Sequence, residues 1–225
     1  MRGTRFGVSA AILILTLTAG ADAFAQERLG VGFDLWAETG QLSGEQWINA
    51  SRLDESFDTA AAGGSISAWM LFLARDRVRA GPGIRFFGNY GRGGNQEYLL
   101  GFLTEAFMMG EYSLRAFEKF DILLGGRAGL AVLAPGGEFG EEITRLQREG
   151  VGVWSVPRPG VLAGIDVGLR RQLTGKFALR ADLNAQYEQL FLFATNEEID
   201  HYRFQKNWST HTIRLGLLFG AEVSF

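Results

Sequence analysis

Residues 212–225 read TIRLGLLFGAEVSF, and their alternation sets the fold. Ile213, Leu215, Leu217, Phe219, Ala221, Val223 and Phe225 share one parity, and Thr212, Arg214, Gly216, Gly220, Glu222 and Ser224 share the other. A period of two places these sets on opposite faces of a β-strand. The body of the chain opens in the same way: Leu29, Val31, Phe33, Leu35 and Ala37 alternate with Arg28, Asp34 and Glu38.

Working inward, six more strands are expected, and helical periodicity is almost absent. Strand two covers about 65–74 and is apolar on both parities. Strand three, 78–90, sets Arg79, Arg85 and Asn89 against Ile84, Phe86 and Tyr90. Strand four, 98–117, sets Glu105, Glu111, Ser113 and Arg115 against Leu100, Phe102, Ala106, Met108, Tyr112 and Leu114. Strands five (121–134), six (161–170) and seven (177–189) carry Arg127, then Asp166 and Arg170, then Arg180, Asp182 and Glu188 on their polar parities. Gaps after strands two, four and six are short, whereas 40–64, 135–159 and 190–209 read as long loops; 138–148 within the middle one reads as a short helix. Short turns at one end and long loops at the other predict an all-β fold, an eight-stranded antiparallel up-and-down transmembrane β-barrel. Pro82 is the one conflict, because a closed barrel has no edge strand on which a missing donor is harmless.

Composition agrees with this layout and narrows the chemistry. A chain of 225 residues, 47% apolar and 21% charged, suits one domain. Its net charge of −3 disfavours nucleic-acid binding. The absence of cysteine excludes disulfides, thiolate metal sites and cysteine nucleophiles. Arg2 and Arg5, the apolar run 8–17 and Ala23-Phe24-Ala25 have the order of a secretory signal. The run is too short for a membrane helix, which needs ~20 residues. The expected organisation is a signal peptide over 1–25, cleaved near Ala25, and a barrel domain over 26–225.

Alternation does not say which face meets lipid, since a soluble barrel with an apolar cavity alternates too. Arginine does. The chain has only three lysines, Lys119, Lys176 and Lys206, among 22 basic residues, and arginine suits buried carboxylate pairing better than lysine. The expected interior is therefore Asp34, Glu38, Arg79, Arg85, Glu105, Glu111, Arg115, Arg127, Asp166, Arg180, Asp182, Glu188, Arg214 and Glu222, eight carboxylates against six arginines. Eight strands leave a lumen that side chains fill. Tyr90, Tyr98, Phe117, Phe120, Phe177, Tyr187 and Phe191 fall towards strand ends, where interfacial girdles belong.

With these features the chain resembles the small eight-stranded outer-membrane barrels of Gram-negative bacteria, the group of the OmpA transmembrane domain, OmpX and opacity-type proteins. The resemblance implies an assembly signal at the C-terminus, read by the barrel-assembly machinery, on Gly220, Val223 and Phe225. Phe219 and Val223 depart from its commonest form. It also implies residence in the outer membrane, contact with its lipid, and little about activity.

Candidate reactive groups are few. Ser209 ends the last long gap two residues before His211, which starts strand eight, but outer-membrane lipid deacylases place histidine before serine on the strand, and His211 shares the apolar parity. Glu197, Glu198, Asp200 and His201 match no metal loop. Gly93-Gly94 and Gly136-Gly137 read as turn glycines, since no nucleotide motif leads into a helix. The expectation is a monomeric, non-enzymatic barrel without cofactor or metal, whose loops meet an unidentified external ligand or surface. A small pore, a soluble periplasmic ligand binder and a lipid-modifying hydrolase stand as alternatives.

Overall fold

The computed structural model describes residues 27–92, 98–199 and 201–225. The signal segment, Gly93-Gly94 and Asp200 lie outside them. Eight antiparallel strands close into a ring in chain order. They are β1 Arg28–Ile48, β2 Ser51–Arg75, β3 Val78–Arg92, β4 Tyr98–Phe117, β5 Phe120–Pro135, β6 Arg158–Gln172, β7 Phe177–Ile199 and β8 Tyr202–Ser224, with helix α1, Gly137–Arg148, between β5 and β6. The ring closes through β1 and β8, which pair from Arg28↔Ser224 to Ile48↔Phe204.

The two faces settle the environment. Arg85, Glu105 and Arg214 are 1%, 0% and 0% exposed, whereas Ile66, Leu183 and Leu215 are 63%, 64% and 62% exposed. A charged interior inside an apolar exterior is the reverse of a soluble ligand-binding barrel. A closed ring that satisfies its own backbone and turns aliphatic side chains outward is built for hydrocarbon. Tyr98, Phe117, Phe120 and Phe177 are exposed near strand ends, as expected of girdle residues, whereas Tyr187 and Phe191, also exposed, lie within β7, which runs on to Ile199.

Two expected loops are strands. Positions 40–64 form the far halves of β1 and β2, which stay paired to Ile48↔Ser51. Positions 190–209 likewise extend β7 and β8 to Ile199↔Tyr202. Both hairpins outrun their neighbours, because the β2–β3 ladder stops at Ile66↔Phe86 and the β6–β7 ladder at Gly160↔Leu190. The result is a four-stranded wall, β2-β1-β8-β7, standing above one side of the ring. The third gap holds α1, as its sequence suggested.

Irregularities reverse parity on β3 and on β4. Phe87 is an extra residue between the pairs Phe86↔Thr104 and Gly88↔Leu103, and Gly88 takes φ +69°, a conformation glycine adopts without strain. Beyond this bulge, Tyr90 and Arg92 turn inward and Asn89 outward. Tyr90 is therefore not a girdle residue. Leu100, expected on the outer face, is buried for the matching reason on β4, next to Gly101 at φ +129°. Pro82 is outward-facing; the β2–β3 register holds across it, but no pairing is made at Met70 and Leu71, so the missing donor interrupts the ladder locally.

Candidate functional site

The lumen is packed with charge, layer upon layer. Nearest the short turns, Glu111 of β4 and Glu222 of β8 both accept from Arg180 of β7, at 2.6 and 3.0 Å. Arg170 of β6 reaches Glu111 at 3.4 Å and Ser113 at 2.9 Å, and Arg28 of β1 reaches Glu222 at 3.3 Å. Asp182 accepts from Arg180, and the Trp69 indole of β2 donates to Glu222 at 3.2 Å. Six strands thus meet around two carboxylates.

At mid-height Arg127 makes a two-pronged contact with Asp166, and Asp34 accepts from Arg85 at 3.1 Å and Ser67 at 2.8 Å. Above this, Arg214 donates to Glu38 at 2.8 Å, Glu105 at 2.6 Å and Glu188 at 3.4 Å. Its guanidinium lies 4.3 Å from the Phe87 ring centroid and 5.3 Å from that of Trp36. Gln186 adds a 2.6 Å bond to Glu105, Tyr90 a 2.6 Å bond to Glu38, and Arg92 bonds to Tyr90 and Thr212.

Among the described residues, eight buried carboxylates face nine buried guanidiniums, and Asp121, half-buried at the rim beside Arg170, adds a ninth acid. Such balance is what an interior shielded from water requires, because an unpaired buried charge costs several kcal/mol. Thirteen of the fourteen residues expected inside are there. Arg79 is buried with its Nε unbonded. Arg115 is the exception: the ladder is irregular between Arg115 and Phe117, and its exposed side chain folds into the turn to donate to the Glu118 carbonyl at 3.1 Å. Arg28 and Arg170, both on polar parities, belong to the network as well. Tyr90 and Arg92 were hidden by the bulge, and Arg158 by its place in a long gap.

The mouth opposite the short turns is covered by α1. Its apolar stripe, Phe139, Ile143 and Leu146, is buried, and Phe139 meets Phe193 edge-on at 5.3 Å. Glu138 accepts from the Leu99 backbone N–H of β4 at 2.8 Å, and Glu142 pairs with Lys206 of β8 at 3.2 Å. β4 and β8 stand four places apart in a ring of eight, so α1 spans the mouth.

Outside, on the lipid-facing parity, Ser209 Oγ lies 3.4 Å from His211 Nε2, and the Tyr187 hydroxyl lies 2.7 Å from His211 Nδ1. The sequence placed serine and histidine together but gave no sign of Tyr187, which enters from the neighbouring strand. His201 sits exposed in the β7–β8 turn, and among the described residues no group of three or more potential ligands could hold a metal ion.

The protein is, by fold and interior, an eight-stranded transmembrane barrel with a filled lumen. No protein-family model and no curated protein matches its sequence. Similar solved structures include Neisserial surface protein A (14% identity, covering 85% of this chain and 97% of that one, TM-score 0.45). OprG, an outer membrane protein from Pseudomonas aeruginosa, has 9% identity over 89% of this chain and 96% of its own, with TM-score 0.46. The outer membrane protein AlkL, solved in DMPC bilayers, has 12% identity over 92% and 94%, with TM-score 0.49. The architecture of this chain stands on its own ladders and faces.

Proposed function

We propose that the protein is an outer-membrane scaffold barrel with a sealed lumen, which presents the four-stranded wall and α1 to the outside as a surface for interaction. The observation that carries this reading is the packing of the interior, where eight carboxylates and nine guanidiniums lie buried among the described residues. The cavity at mid-lumen, lined by Trp69, Phe107, Arg127, Arg180 and Asp182 among others, holds about 10 Å³. That is room for about one water, and a conducting pore needs a continuous file of them. The signal-like segment 1–25 and the apolar belt support export to and residence in the outer membrane, with the short turns on the periplasmic side. Planar-bilayer recording tests the reading directly. The wild type is expected to be silent, and steady unitary conductance would replace the scaffold by a small pore.

A further inference from the structure

The outer face of β7 and β8 changes character along its length. Ile213, Leu215 and Phe219 are exposed aliphatic and aromatic positions of the lipid belt. His211, Ser209 and Asn207 follow on the same parity and mark the level where hydrocarbon gives way to polar surroundings. At that level Ser209 Oγ faces His211 Nε2 at 3.4 Å and Tyr187 faces His211 Nδ1 at 2.7 Å. This is the connectivity of a nucleophile, its base and a group that orients the base. Ser209 also lines an open groove of about 460 Å³, with Ser43, Arg52, Phe191 and Asn207 on its walls.

We propose that Ser209 and His211 are a catalytic pair that hydrolyses carboxylic esters of membrane lipids, with Tyr187 as the positioning residue. An acyl chain lies down the belt over Ile213 and Leu215, which brings its ester carbonyl to the height of Ser209. Nδ1–H of His211 donates to the Tyr187 oxygen, leaving Nε2 free as acceptor. Ser209 Oγ bonds to the carbonyl carbon while its proton passes to Nε2. The tetrahedral adduct collapses, the bond to the lipid alcohol breaks, and that oxygen takes the proton from Nε2. A water repeats the two transfers, releasing the fatty acid and restoring Ser209. The activity is independent of the lumen and so does not rest on the sealed-scaffold reading.

Tyr187 brings no negative charge, and catalysis without an ionised orienting acid is slower by about 10⁴-fold. The assay is therefore active-site labelling before turnover. Full-length protein, folded into phosphatidylcholine vesicles and checked by heat-modifiable gel mobility, is treated with a fluorophosphonate probe. Labelling is expected on Ser209 by peptide mass spectrometry. It is expected to fall by about 10²-fold or more in Ser209→Ala and His211→Ala and to persist in Ser224→Ala, which lies at the opposite end of β8. With vesicles that carry an acyl-labelled lipid, Tyr187→Phe is expected to lower kcat at unchanged KM and to alter the ¹⁵N signature of the His211 tautomer. Equal labelling of folded wild type and Ser209→Ala would overturn the proposal. So would a wild-type ¹⁵N spectrum with the His211 proton on Nε2, since that nitrogen could then accept nothing from Ser209.

Discussion

The Trp69 indole fills the space that a side chain at Gly220 would need: a Cβ there would stand 2.7 Å from the ring. The same ring presses on Gly30, where a Cβ would stand 2.2 Å away. Gly220 thus has a steric reason to be glycine, quite apart from any part in an assembly signal. Gly220→Val is expected to destabilise the folded barrel by about 1–3 kcal/mol through overpacking. Adding Trp69→Ala is expected to recover part of that loss, as a non-additive double-mutant cycle in urea. Strict additivity would leave the assembly signal as the better account of this glycine.

Arg127→Ala strands Asp166 in the lumen. The expected cost is ~3–5 kcal/mol, the range for removing one partner of a buried pair. Arg115→Ala, whose guanidinium lies in the turn, is expected to stay within ~0.5 kcal/mol of wild type. Unfolding midpoints in the same lipid measure both, and similar losses would contradict the placement of Arg115 outside the lumen.

Gly88→Val tests the bulge. A β-branched residue at φ +69° is strained by about 1–2 kcal/mol. Its effect should reach Tyr90 and Arg92, whose inward orientation depends on the bulge. Loss of stability together with new surface accessibility at Tyr90, read by iodination, is the expected result.

Glu142 gives a pH test outside the membrane. Burial pushes its carboxyl upward, but hydrogen bonds from Arg145 and Lys206 outweigh that and hold it below the ordinary carboxylate range. A group depressed in the folded state contributes stability above its unfolded pKa and loses it as pH falls through the lowered folded value. Docking of α1 should therefore be unchanged at neutral pH and loosen only in acid, below about pH 4. Hydrogen exchange of α1 measures this, and in Glu142→Gln the protection should be lower at neutral pH and flat across the acid range.

What the sequence exposed and what it hid divide along one physical line. Within the belt, lipid outside and charge inside force strict alternation, so Asp34, Glu105, Asp166, Arg180 and Arg214 could be assigned from parity alone. A single inserted residue defeats that reading from the insertion onward, as at Phe87, and nothing in the local pattern announces it. Above the belt the constraint disappears. Positions 51–64, SRLDESFDTAAAGG, have polar surroundings and weak strand formers, so they resemble a loop although they pair throughout. The Tyr187 contact with His211 was hidden for a third reason, because parity gives a residue's face and says nothing of the register between strands.

Every backbone ladder in the ring ties a strand to its neighbour, and a hoop held only in that way is soft to flattening. Helix α1, fastened to Leu99 on one side and Lys206 on the other, is a strut across the diameter. It opposes the one deformation that neighbour-to-neighbour bonds resist least, the approach or separation of β4 and β8 across the mouth.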